Sequence, residues 1–253
     1  LKTQMLVRYL KDIVAAENPG FEHGYNYLAG TADPTYDWAV EDYELDELCR
    51  GGGLLMNESI GNHGFGQRFG WYVANIQEEG DLARERGGFY LAIHRAENPR
   101  DQLLCYILGY AGGARSYGAV NEMRSVNRYA TRFADYVFDE ELRRIVEPRA
   151  LLRPEGETRL WWDCFVFETP RQGNRAQLVV NLLNVNADTR ISDKHAKYPD
   201  QTLWPGTEPL TFTPTLPAGY KLVDAHLIDP FTLAVQAVER RNEALAVPSV
   251  ALW

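Results

Sequence analysis

Apolar residues near the start of the chain recur at helical spacing. Met5, Leu6, Tyr9, Leu10, Ile13 and Ala16 share one stripe, and Asn18-Pro19-Gly20 ends it, so a helix is predicted over 1–17. The period then shortens. FEHGYNYLAG reads as an extended, aromatic-rich run, and the loop after it carries Asp33, Pro34, Asp37, Glu41 and Asp42. A short helix is predicted over 46–50, and Gly51-Gly52-Gly53 leads into LLMNES, an apolar run with a polar end. A helix over 69–86 is followed by Gly87-Gly88 and the strand-like FYLAIHR. QLLCYILGYAGGARSYG fits a strand or a helix equally well by periodicity, and a long helix is predicted over 121–146.

Helix and short apolar strand in alternation, with polar residues where strands end, is the signature of a parallel sheet covered by helices. Three or four such units fit into residues 1–147. A complete eight-unit barrel takes about 250 residues. The expected fold of this region is therefore the second half of a (β/α)8 (TIM-type) barrel.

From residue 148 the texture changes. LWWDCFVFE, QLVVNLLNVN, PLTFTPTL, YKLVDAHLID and AVPSVALW are short strand-like runs separated by Pro, Gly and Asn, which predicts an antiparallel β-sandwich over 148–253. The last run reaches Trp253 with no turn or polar tail, and the chain opens at Leu1 on a helix. Both ends read as cut. The N-terminal half of the barrel, in cis or in trans, is accordingly an expected partner.

Charge narrows the possible functions. With 26 basic and 35 acidic residues the net charge is -9, and the bases are scattered among acids, which argues against nucleic acid and anionic membranes as partners. No run approaches the roughly 18 apolar residues of a membrane span. Cys49, Cys105 and Cys164 are widely spaced and lack CxxC pairing, so they read as small core residues and not as a disulfide framework or zinc site. HExxH, GxxxxGK[ST] and a GxGxxG in strand-turn-helix context are absent, and no metal or cofactor is expected. The Asn57-Glu58-Ser59 triplet has the form of a glycosylation acceptor but ends an apolar strand, and is read as accidental.

In parallel α/β folds the working residues sit at the C-terminal ends of strands. Glu58 is the first candidate. A carboxylate behind the apolar run Leu54, Leu55 and Met56 has the setting of a general acid, with Asn57 to orient it or to hold a hydroxyl; capping the following segment or pairing with Arg68 is the competing role. His94 takes the equivalent place on the next strand, as substrate contact or as a structural histidine. Tyr25 and Asn26 lie toward the mouth on the preceding strand. Asp37 and Trp38 combine acid and ring as sugar sites do, with an ordinary solvated loop as the favoured alternative, and Arg115 stands at the rim after the last strand. Trp161, Trp162 and Trp204 are expected to be buried, with sugar binding as the alternative.

The runs GGLLMNES, FYLAIHR, LLCYILGYAGGARSYG, WWDCFVFE and QLVVNLLNVN together resemble the latter part of barrel glycoside hydrolases with a C-terminal β-sandwich, of the dextranase and cycloisomaltooligosaccharide glucanotransferase type. The resemblance implies a carbohydrate substrate, an extracellular or cell-surface setting, and Glu58 as the acid/base of a carboxylate pair. The nucleophile would belong to an earlier strand, outside this chain. The alternative from another class is a non-catalytic carbohydrate-binding or surface-assembly protein on the same fold.

Overall fold

A computed structural model describes residues 2–20, 24–27, 49, 52–57, 68–94, 96, 98–118, 123–171, 173–186, 188–191 and 209–253. The chain divides into two compact units. The first comprises Leu1–Met123 with Arg190–His195, and the second Arg124–Thr189 with Ala196–Trp253.

In the first unit, helix α1 spans Lys2–Glu17. Its end follows the sequence signal: the Asn18 amide bonds to the Val14 carbonyl, and Asn18 Oδ1 accepts from the Gly20 amide. Among the described side chains of its apolar stripe, Tyr9, Leu10 and Ile13 are exposed, while Lys11 beside them is buried. Strand β1 (Gly24–Tyr27) precedes β2 (Gly53–Asn57), helix α2 (Phe69–Glu85), β3 (Gly88–Ile93), helix α3 (Pro99–Ala111) and β4 (Arg115–Tyr117). The ambiguous run 102–118 is thus a helix, a Gly112-Gly113 turn and a strand. Asn98 caps α3, its Oδ1 accepting from the Asp101 amide at 2.9 Å, and Pro99 stands where a missing N–H costs nothing.

The four strands are parallel, in the order β1-β2-β3-β4. Gly53 lies opposite Gly88 in register, and a Cβ on Gly88 would collide with the Gly53 carbonyl. Both glycine turns exist for this approach: Gly52, Gly53 and Gly87 also have positive φ.

The expected half barrel is not what forms. Among the described residues the parallel strands make an open sheet in which β1 and β4 are edges. A barrel wall would bury both faces, one under helices and one in a filled interior. Here only one face is fully buried: Leu55, Asn57, Tyr90 and Ala92 are covered, while Leu54, Met56, Phe89, Leu91 and Ile93 on the other face are half-exposed.

The second unit opens with helices α4 (Arg124–Arg132) and α5 (Ala134–Val137), which replace the single long helix predicted over 121–146. The break is at Phe133, whose backbone (φ -116, ψ 39) leaves the helical region. The strands are β5 (Arg143–Arg144), β6 (Leu152–Pro154), β7 (Val166–Glu168), β8 (Leu178–Val180), β9 (Leu210–Pro214), β10 (His226–Ile228), β11 (Val235–Ala237), β12 (Glu239–Arg241) and β13 (Ala244–Val247). They do not form the expected two-layer sandwich. Three small antiparallel sheets are present, ordered β12-β13-β9-β6, β5-β7-β8 and β10-β11. They share a core of Leu160, Trp162, Leu182, Phe212, Val247 and Val250. With strands of two to five residues, side-chain packing and not long ladders holds this unit together.

Trp162 is buried in that core, edge-on to Phe212, and Trp161 Nε1 donates to the Val185 carbonyl at 2.7 Å. Trp204 lies outside the described residues. The final strand stops at Val247, before Pro248, so the chain does not end in mid-strand as its last apolar run suggested.

Candidate functional site at the C-terminal edge of the parallel sheet

The ends of β1 to β4 lie side by side. Tyr27 is in register with Asn57, Asn57 with Ala92, and Ile93 with Tyr117. Asn57 closes β2 and His94 directly follows β3, whereas Tyr25 and Asn26 lie inside β1 and Arg115, expected after the last strand, is the first residue of β4, in register with Leu91. Glu58, Asp37 and Trp38 lie outside the described residues, as do the side chains of Tyr25 and Asn26.

Alternation along the strands sorts the described side chains onto two faces. Asn57 is fully buried on the helix face, where its Nδ2 donates to Glu79 Oε2 of α2 at 2.8 Å. Glu79 is fully buried too, and Tyr90 lies beside the pair. Burial, and after it the charge of Glu79, pushes the Tyr90 phenol well above its ordinary range. This knot was missed by sequence reasoning. Its one signal is a glutamate at position 79 on the apolar side of α2, among Tyr72, Val73, Ile76 and Ala83.

His94 follows Tyr90 and Ala92 on the same face. It is 5% exposed, its ring lies 4.8 Å from that of Tyr106, and neither ring nitrogen has a hydrogen-bond partner among the described residues. Burial lowers its pKa to about 3, so the imidazole is neutral across the physiological range. Ser116 Oγ is likewise buried and without a partner, and both groups face Gly109 of α3: a Cβ there would collide with Ser116 Oγ and reach 3.4 Å from His94 Nε2. The backbone fixes the position, since the His94 amide bonds to the Tyr117 carbonyl at 2.8 Å.

The open face is chemically different. Arg115 and Tyr117 are exposed there, and the Arg115 guanidinium sits 4.0 Å from the centre of the Phe89 ring. The four strands themselves carry no Asp or Glu. Carboxylate chemistry at this edge has to come from the segments that follow the strands. Among the described residues no group of His, Cys, Asp and Glu is arranged to hold a metal ion, and no helix is long and apolar enough to cross a membrane.

Compared by sequence with known protein families and with characterised proteins, the chain matches none.

Proposed function

We propose that this chain belongs to a protein that acts on glycosidic bonds of an oligo- or polysaccharide, with Glu58 as general acid/base. The observation that carries the reading is that Asn57 ends β2 and His94 directly follows β3 at the C-terminal edge of a parallel sheet, the place where α/β folds bind ligands. Glu58 directly follows the last residue of β2 in sequence, and the strands supply no acid of their own.

The division of labour follows from burial. Asn57 and Glu79 hold the end of β2 against α2, so the backbone from which Glu58 departs is fixed by a buried hydrogen bond. Arg115 and Tyr117 offer an exposed cation and an exposed ring on the open face, a combination suited to hydroxyl-bearing substrates. His94, buried and neutral, is a positioning residue in this scheme. The second carboxylate of a hydrolytic pair comes from a segment outside the four strands or from a partner chain.

The test is release of reducing ends from a panel of soluble α- and β-glucans. Glu58→Gln is expected to lower kcat by about 10² to 10⁴ while leaving glycan affinity in place. Unchanged turnover removes Glu58 from the mechanism. Glycan binding without cleavage by the unaltered chain turns the assignment to a binding protein, and neither binding nor cleavage ends the carbohydrate reading.

A further inference from the structure

Helix α4 in the second unit has the sequence RSVNRYATR, with no acidic residue. Val126, Tyr129 and Ala130 are buried, and Arg124, Arg128 and Arg132 stand exposed one turn apart at i, i+4 and i+8. Four residues of helix rise about 6 Å, so the three guanidinium groups span about 12 Å along one face. Asn127 and Thr131 lie between them. Together with Leu233 these residues line an open groove of about 550 Å³, within the range of ligand sites.

Two features set this groove apart from an ordinary solvated face. None of the three arginines forms an ion pair among the described residues, although the chain carries 35 acids against 26 bases. The acid nearest in helical spacing, Asp135, lies beyond the break at Phe133, and the Arg132 guanidinium lies 5.5 Å from the Phe133 ring centre instead. The opposite wall is built under strain. Leu233 has φ 63, a conformation that leucine seldom adopts, and it is held there by a tight loop. In that loop Asp229 Oδ1 accepts from the amides of Phe231 and Thr232, and the Leu233 amide bonds to the Asp229 carbonyl at 2.8 Å.

We infer that this groove binds an acidic oligosaccharide, whose carboxylates or sulfates pair with Arg124, Arg128 and Arg132 and whose hydroxyls meet Asn127 and Thr131. Guanidinium groups are the side chains best matched to such anions, because they pair in a bidentate manner. The lining disfavours other polyanions. It has no aromatic ring on which a nucleobase would stack. An acidic peptide can also pair with an arginine row, but the one apolar lining residue, Leu233, is 9% exposed and gives its side chains no anchor, so oligo-glutamate is the competing ligand in the test. The site does not depend on Glu58 or on the parallel sheet.

The experiment is calorimetric titration of the whole chain with an oligogalacturonate, a sulfated oligosaccharide, a neutral gluco-oligosaccharide, oligo-glutamate and oligo-dT. Saturable binding of either acidic sugar, weakened about tenfold by Arg128→Gln and abolished by the triple Arg→Gln variant, supports the inference; the stronger of the two identifies the anion. Circular dichroism and Tm establish that the variants fold, and Glu58→Gln keeps the binding, which separates this site from the catalytic proposal. No acidic-sugar binding, binding untouched by the triple variant, equal or tighter binding of the peptide or oligo-dT, or equal or tighter binding of the neutral sugar that the triple variant also abolishes overturns it.

Discussion

Asn57 Nδ2 donates to Glu79 Oε2 at 2.8 Å, joining the end of β2 to the middle of α2 across 22 residues of sequence. Both side chains are fully buried, so the bond is made where water cannot replace it. Asn57→Ala deprives a buried carboxylate oxygen of a donor and is expected to cost about 2 to 3 kcal/mol in urea unfolding. Asn57→Asp, which sets one carboxyl against another, is expected to cost more. A double-mutant cycle with Glu79→Gln should return a coupling of at least about 1 kcal/mol, and additive effects would show that the pair does not act as a unit.

Gly109 is the second position where the helix face admits no substitution. In a helix interior Gly→Ala ordinarily gains up to about 1 kcal/mol, but here the new methyl meets Ser116 Oγ. Gly109→Ala alone is therefore expected to lower Tm. On a Ser116→Ala background, which removes the clashing oxygen, the same change is expected to raise it. A loss of equal size in both backgrounds would place the conflict at His94 instead.

His94 makes the first unit sensitive to acid. Its pKa is lowered from 6.5 to about 3 in the folded chain, so between those values the unfolded chain binds more protons and stability rises with pH. The stability is complete above pH 6.5 and falls as the pH drops toward 3. For this one group the loss between pH 7 and pH 5 is about 2 kcal/mol. Urea midpoints measured across that window should move accordingly, and His94→Leu should flatten the slope. An unchanged slope in that variant assigns the acid sensitivity elsewhere.

How much of this was legible in the sequence differs between the two halves. The 69–85 helix and the 88–93 strand follow from hydrophobic spacing and glycine turns, because each element is longer than one period of its pattern. Closure of a sheet is another matter. It depends on pairing between distant strands, and the apolar runs of β2 and β3 fit an open sheet and a barrel wall equally well. Strand-end position picked out Asn57 and His94 correctly as polar residues at the sheet edge, yet not the face each occupies, which is set by the parity of their register. In α1 the stripe predicted the helix but not its burial, since Tyr9, Leu10 and Ile13 are exposed. The Arg124, Arg128 and Arg132 row was hidden by net charge, which averages over a surface that is locally of the opposite sign.

The QLVVNLLNVN run has a role that its apolar residues conceal. Asn184 Nδ2 donates to the carbonyls of Val250 and Ala251, each at 3.0 Å, and the Asn184 amide bonds to the Leu252 carbonyl. Three residues earlier, Asn181 Oδ1 accepts from Trp253 Nε1 at 3.1 Å while its Nδ2 donates to the Phe165 carbonyl. The Trp253 ring meets Tyr129 of α4 edge-on at 4.7 Å. Two asparagines thus fasten residues 250–253 to the core. Trp253→Phe keeps a ring against Tyr129 and loses only the N–H, so it is expected to cost about 1 kcal/mol. Trp253→Ala, which also removes the aromatic contact and its buried area, is expected to cost about 2 to 4 kcal/mol in urea unfolding. Asn184→Ala frees two carbonyls at once and should approach the larger value. Equal effects of the Phe and Ala variants would mean that the hydrogen bond, and not the ring, holds the segment in place.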